Sequence, residues 1–311
     1  MTLDNLHHHL RTASATVSEE YTRLFHGRGN IYGRYRFLTV DSIDKVLFAV
    51  LFEANDEKKA IVSMLRDFYT ATGKWEALVI QQRYLLSSPT TLIEGELPTK
   101  TYAIENGLKY HVNFQSAQNI GFFPDMKLGR EFVRDHAHGK KVLNLFSYTC
   151  SFSVVAMEAG ANKVVNVDMN KNVLSIGREN HRLNAIDTKN VEFMPYNILK
   201  SWSRIRKSGP YDLIIIDPPS FQKGSFAATS DYEKIIRRLH EFSADECIVL
   251  SALNAPELSS NFIKALFRGN APEFQYVERL KNLESFPEIE EERSLKNLVF
   301  KRGNNSLNCQ P

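Results

Sequence analysis

The sequence predicts an α/β chain in which a doubly wound, mostly parallel sheet follows a smaller N-terminal α+β subdomain. From Lys141 onward, short runs of β-branched residues alternate with segments whose apolar residues recur at helical spacing. Before Lys141, several strand-like runs surround one amphipathic segment, with no regular alternation. The 311 residues, 43% of them hydrophobic, suit two modest domains or one large one with a substantial core.

The first thirty residues are polar, and the spacing predicts a helix over Ser18 to Phe25 before the turn His26-Gly27-Arg28-Gly29-Asn30. His7, His8 and His9 have no cysteine or carboxylate at ligand spacing, so they read as a solvated helix start and not a metal site. Arg23, His26, Arg28, Arg34 and Arg36 are interleaved with Tyr21, Phe25, Tyr32, Tyr35 and Phe37. Such a cluster either tracks a phosphate backbone while stacking bases, or is a strand with solvated charges and core aromatics. Strands are expected at 35–40, 45–53, 76–83 and 102–114, and a helix at 57–72, where Ile61, Met64, Leu65 and Phe68 share a face. The loop 87–100, with Pro89 and Pro98, reads as an internal linker. Residues 1–115 are thus expected to form the α+β subdomain, which would help hold substrate, 116–303 the main domain, and 304–311 a disordered tail.

Gln115 to Arg130 is a polar loop with two aromatics beside Gly121, followed by a helix through Phe132 and Val133. Lying just ahead of the first strand of the sheet, it is a candidate lid. Lys141 to Asp168 then reads as strand, tight turn, helix and second strand. Val142, Leu143, Leu145 and Phe146 fit a strand buried on both faces, and Phe152, Val155, Ala156 and Ala159 mark a helix. Gly160 stands where a C-cap glycine belongs, and Val164, Val165 and Val167 give the second strand. Asp168, closing that strand, suits the hydroxyls of a ribose held across the strand ends.

The turn Phe146-Ser147-Tyr148-Thr149-Cys150-Ser151 has no glycine, whereas a pyrophosphate needs glycine backbones close by at a helix N-terminus. The turn therefore argues against NAD, FAD and P-loop nucleotides. S-adenosylmethionine, which carries a ribose and no phosphate, fits.

A helix at 170–184, a strand at 191–194 and an apolar strand at 211–216 continue the alternation. Asn197, beyond the third strand, would either present its amide to an adenine edge or cap the next helix. Asp217-Pro218-Pro219 ends the fourth strand. Two prolines fix the backbone and remove two donors, which leaves nearby carbonyls and the Asp217 carboxylate as acceptors for a planar amine, with Phe221 placed to stack on its ring. Methyl transfer from a sulfonium needs mainly an acceptor lone pair held in line with the methyl group.

A net charge of +3 permits a nucleic-acid partner without arguing for one. No apolar run approaches the roughly 20 residues of a spanning helix, and no secretory signal is seen. Cys150, Cys247 and Cys309 are too scattered for a disulfide framework or a zinc site, so a cytoplasmic location with reduced thiols is expected and no metal.

Taken together, N-L-F-S-Y-T at Asn144 to Thr149, V-D-M at Val167 to Met169 and D-P-P-S-F at Asp217 to Phe221 resemble class I S-adenosylmethionine-dependent methyltransferases. More narrowly, they are similar to the bacterial group that modifies 23S ribosomal RNA, which includes cytosine-C5 and 7-methylguanine enzymes. The resemblance implies a seven-stranded Rossmann-like sheet and cofactor contacts at Asn144, Phe146, Tyr148, Thr149, Asp168, Met169 and Asn197. It further implies contacts from the preceding loop at Asn119, Phe123, Asp125 and Arg130, and puts Asp217, with Pro218, Pro219 and Phe221, at the methionine or acceptor end.

Three positions depart from that pattern. Cys150 stands where the group has glycine, so the turn must tolerate a Cβ or shift, and Asn197 stands where aspartate is usual. Cytosine-C5 enzymes add a cysteine thiolate to the base from a loop after the fifth strand. Here the exit Ser251-Ala252-Leu253-Asn254 has none, and Cys247 is near the start of that strand. The expectation is an S-adenosylmethionine-dependent methyltransferase acting on a nitrogen of a ribosomal RNA base. The alternatives are methylation of a protein side chain or small molecule, and a non-catalytic RNA-binding module.

Overall fold

The computed structural model describes residues 1–115, 118–219, 221, 222 and 226–303, with the backbone alone for 221, 222 and 226–229. The expected tail at 304–311 lies outside the described residues. The chain forms two compact units, Met1–Lys127 with Asn282–Ile289, and Leu128–Lys281 with the residues from Glu290 on. The first division falls at 127/128, not 115/116, because the loop expected to open the main domain packs with the first unit.

In the first unit, α1 (Leu3–Ser14) begins at Thr2, whose hydroxyl accepts the Asn5 amide at 3.2 Å. His7 to His9 lie on this helix. β1 (Thr22–His26), β2 (Leu38–Ile43), β3 (Val46–Leu51), α2 (Lys58–Thr72), β4 (Ala77–Gln82) and β5 (Thr90–Gly95) follow, with a sheet order β1-β2-β3-β4-β5. Only β3 and β4 pair in parallel, as their connection through α2 requires. Leu6 and Leu10 of α1 pack with Ile61, Met64, Leu65 and Phe68 of α2 over one sheet face. β6 (Tyr102–Glu105) and β7 (Leu108–His111) form a hairpin whose turn residues Asn106 and Gly107 both have positive φ, 50° and 79°.

Two expectations change here, and one choice left open is narrowed. Residues 22–26 are a strand and not the end of a helix, because Leu24 and Phe25 are buried where β1 pairs with β2. The loop 87–100 is not a linker: it supplies β5, which completes the sheet edge. The basic and aromatic cluster is mostly core, with Phe25, Tyr35 and Phe37 buried and Arg23, Arg34 and Arg36 paired with Asp41, Glu57 and Glu53.

The second unit runs through α3 (Lys127–His136, all but its first residue), β8 (Lys141–Leu145), α4 (Ser151–Glu158), β9 (Lys163–Val167), α5 (Lys171–Leu183), β10 (Val191–Met194), α6 (Trp202–Lys207) and β11 (Tyr211–Ile216). After the two-residue strands β12 (Phe221–Gln222) and β13 (Phe226–Ala227) come α7 (Ala228–Ile236), β14 (Ser243–Leu253), α8 (Ser260–Asn270), β15 (Gln275–Leu280) and β16 (Lys296–Arg302). The sheet order is β10-β9-β8-β11-β14-β16-β15, parallel from β10 through β14, with β16 antiparallel to both neighbours. From β8 the chain winds outward through β9 and β10, then returns to the other side of β8 at β11. That reversal opens a crevice at the carboxyl ends of β8 and β11, where ligands bind in sheets of this kind. Among the described residues, no helix is long and apolar enough to cross a membrane, and no three His, Cys, Asp or Glu residues are grouped to hold a metal.

Candidate active site

Strand register builds one edge of the site. Leu145 of β8 is level with Val167 of β9 and Ile216 of β11, and Met194 of β10 is level with Val167. The next residue of each strand, Phe146, Asp168 and Asp217, therefore emerges at the same edge, with Asp168 and Asp217 flanking the turn that follows β8.

That turn is strained. Phe146, Tyr148 and Cys150 all have left-handed φ, at 58°, 46° and 62°, although none is glycine. Each such residue costs about 1 to 3 kcal/mol, so packing must hold the turn. Its amides face inward: Ser147 donates to the Val167 carbonyl at 3.2 Å, Cys150 to the Ser147 carbonyl at 2.7 Å, and Tyr148 to Asp168 Oδ2 at 3.0 Å. Amides so engaged cannot cradle a pyrophosphate, so the donor set fits a ribose-bearing, phosphate-free cofactor. Asp168 Oδ1 accepts the Asn170 amide at 2.9 Å. Each carboxylate oxygen has a second lone pair for a ribose hydroxyl. Desolvation, stronger than the two amide bonds, pushes the Asp168 pKa up from the usual aspartate range.

A sequence model of the S-adenosylmethionine-dependent methyltransferases matches residues 22–301, nearly the whole chain. The chain belongs to that family. Among curated relatives, the ribosomal RNA large subunit methyltransferase I of Aeromonas salmonicida is 34% identical over 190 residues, 59% of this chain and 48% of that protein. The chain thus spans about half the length of the curated relatives it matches. Among solved structures, SMU.776 complexed with SAH superimposes with a TM-score of 0.86 at 23% identity, covering 97% of this chain and 82% of that one. The SAM-dependent methyltransferase from Agrobacterium tumefaciens gives 0.63 at 16% identity, over 92% and 91%. These two likenesses show the fold.

Within the methyltransferase unit, Met169 follows Asp168 with 47% of its surface exposed. Asn197 precedes a 3-10 turn at Ile198–Lys200, and its side chain makes no capping bond. Its amide is therefore not the helix cap that one sequence reading allowed. Asp217 is half-buried, Pro218 buried and Pro219 exposed. Behind them, Tyr232 of α7 bonds through its hydroxyl to the Ile216 carbonyl at 3.3 Å, the Ser251 hydroxyl at 3.0 Å and the Ala252 carbonyl, tying together the ends of β11 and β14. Nothing in the sequence singled out Tyr232. Ser220 and the Phe221 side chain lie outside the described residues.

The turn is gripped from below by three residues of α5 that sequence reasoning also missed. Gly177, Asn180 and His181 share one helical face. Asn180 Nδ2 donates to the Thr149 carbonyl at 2.9 Å. A Cβ on Gly177 would stand 2.9 Å from Cys150 Cβ and collide with its sulfur, so the missing side chain at 177 makes room for Cys150. The turn tolerates a Cβ at 150 for that reason. Cys150 is buried, and burial pushes its thiol far above the usual range, which suits packing and not nucleophilic attack.

His181 ends a buried chain of hydrogen bonds. Asn144 Nδ2 donates to Asn166 Oδ1, Asn166 Nδ2 to Ser153 Oγ, and Ser153 Oγ to His181 Nε2, each at 2.9 Å. His181 Nδ1 donates to the Gly177 carbonyl at 2.7 Å, which can only accept and so fixes the neutral tautomer. Asn144, expected at the cofactor, thus has its amide nitrogen engaged beneath the turn, and its Oδ1 has no hydrogen-bond partner among the described residues. Burial lowers the His181 pKa. The unfolded chain takes up a proton near pH 6.5 that the native ring resists, so stability present above that pH is lost as pH falls toward the depressed native value. In His181→Gln, the fall of stability below pH 6.5 should be shallower by about 1 kcal/mol per pH unit. Chemical denaturation at several pH values checks this, and an unchanged slope would contradict the neutral assignment.

Of the loop expected over the cofactor, Asn119, Phe123 and Asp125 belong to the first unit. Asn119 Oδ1 accepts from Arg83 at 3.1 Å, Phe123 is 39% exposed, and Asp125 lies in the 3-10 turn Pro124–Met126. Arg130, on α3 of the methyltransferase unit, is fully buried, its guanidinium 6.0 Å from the Phe152 ring centre.

Proposed function

We propose that this chain methylates a nitrogen of a base in large-subunit ribosomal RNA, using S-adenosylmethionine and no covalent cysteine adduct. The observation that carries the reading is the shared strand-end edge that sets Asp168 and Asp217 on either side of the phosphate-excluding turn. Bound S-adenosylmethionine supplies an electrophilic methyl group on a sulfonium. Asp168 would accept hydrogen bonds from the ribose hydroxyls, Met169 would lie against the adenine, and Asn197 would offer its amide to the adenine edge. The Asp217 carboxylate and the proline carbonyls accept hydrogen bonds from a planar amine, which turns its lone pair toward the methyl group. Tyr232 holds the backbone from which Asp217 projects.

A nitrogen acceptor is favoured by the two cysteines among the described residues. Methylation at cytosine C5 requires a thiolate added to the base. Cys150 is buried under the turn. Cys247 is buried, its thiol pushed up to about 12 by desolvation, and it precedes Ile248, which pairs with Leu213 near the start of β11, away from the carboxyl edge. Ribosomal RNA is favoured by the curated relatives, which are named for it. Labelled methyl transfer to ribosomal RNA and to total protein, both from a strain lacking this chain, tests the substrate class. Label is expected in large-subunit RNA, and label in protein alone would overturn the reading.

A further inference from the structure

The five-stranded sheet brings three chain exits to one end. His26 at the end of β1 pairs with Thr39, Leu51 at the end of β3 with Leu38, and Gln82 at the end of β4 with Leu51. Arg28 lies two residues beyond β1, Phe52 directly after β3, and Arg83 directly after β4. Backbone bonds set the last two: the Phe52 amide donates to the Phe37 carbonyl and the Arg83 amide to the Leu51 carbonyl, both at 2.8 Å. The guanidinium carbons of Arg28 and Arg83 lie 4.4 and 5.4 Å from the Phe52 ring centre. Arg28 is exposed, while Phe52 and Arg83 are half-buried.

The charges of this group are not balanced from within. Among the described residues, neither Arg28 nor Arg83 has a carboxylate at ion-pair distance. The nearby Glu53 and Glu57 are paired with Arg36 and Arg34. Burial and the neighbouring Arg28 both lower the Arg83 pKa. His26 adds no charge, because burial, with Arg23 and Arg28 beside it, holds its pKa at about 3. Two cations held together against their repulsion, on an aromatic ring that orients them, await an anion. A guanidinium stacked on a ring keeps its N–H edge free for phosphate oxygens, and Asn119 further steadies Arg83.

We propose that Arg28, Phe52 and Arg83 form a clamp for a backbone phosphate of the RNA substrate. The clamp rests on the reading of RNA as substrate and adds where the first unit grips it. The probe is deproteinised large-subunit ribosomal RNA from a strain lacking this chain, bound by filter assay at several salt concentrations. The Arg28→Ala/Arg83→Ala variant should bind about tenfold more weakly, with the slope of log K against log salt reduced by about 0.7 to 0.9, one phosphate contact's worth. Arg28→Lys/Arg83→Lys should restore most of the slope. Calorimetric binding of S-adenosylmethionine and the melting temperature should match wild type in both variants. If wild type binds this RNA and the alanine variant keeps its slope, the clamp is overturned while the RNA reading stands. If wild type does not bind the RNA at all, the RNA reading itself falls, and with it the clamp. Loss of inorganic phosphate binding with RNA affinity intact would also overturn the clamp, in favour of a free-anion site.

Discussion

Asp168→Ala is expected to weaken S-adenosylmethionine binding by about two to four orders of magnitude, since it removes two charged acceptors from the ribose, each worth about 1.5 to 3 kcal/mol. The same carboxylate holds the Tyr148 and Asn170 amides, so the variant should also melt earlier than wild type. Asp168→Asn separates the two effects. It keeps one acceptor oxygen for the turn but cannot serve both hydroxyls, so it should retain more stability than affinity. Because burial raises the Asp168 pKa, wild-type affinity should fall on acidification, starting above the ordinary aspartate range near pH 4. Protonation removes acceptors, so the direction is loss at low pH. Calorimetry across pH checks both statements, and an Asp168→Ala variant with wild-type affinity would remove Asp168 from the site.

Gly177→Ala should be the second severe change. Its Cβ meets Cys150 in a turn already strained at three residues, and overpacking of this kind costs about 1 to 3 kcal/mol. Cys150→Gly should be nearly neutral, because relief of the left-handed backbone offsets the loss of a small buried side chain. The double variant Cys150→Gly/Gly177→Ala should recover most of the loss, with a coupling above about 1 kcal/mol in denaturant unfolding. Additive effects would mean that the two residues do not share the space. Coupling would mean that position 150 is glycine-like in backbone while its side chain is accommodated by α5, which accounts for a cysteine where the family resemblance implies glycine.

The sheet and its edge were readable because strands buried on both faces appear as unbroken apolar runs. Leu213 to Ile216 is such a run, Val142 to Leu145 and Val164 to Val167 are each broken by a single asparagine, and the residue after each falls at the site. The support beneath the turn was not readable in that way. Gly177, Asn180 and His181 are polar or small on the buried face of α5, and their meaning depends on Thr149, Cys150 and Ser153, which approach only in the fold. A polar residue recurring at apolar positions of an amphipathic helix was the available signal. In the first unit, β5 escaped notice because an edge strand is half-exposed and lacks a clean period, whereas Asn106-Gly107 was a hairpin signal in plain sight. The return of Asn282–Ile289 to the first unit has no local signature: it shows only where Phe286 packs on Arg23 and His26 and the Ile289 amide donates to the Gly29 carbonyl.

Methylation of a nitrogen on a ribosomal RNA base is tested most directly by nucleoside analysis. Large-subunit RNA from a strain lacking this chain should be short of one N-methylated nucleoside, and incubation with the purified protein and S-adenosylmethionine should restore it. Absence and restoration of 5-methylcytidine instead, or no missing nucleoside at all, would contradict the account.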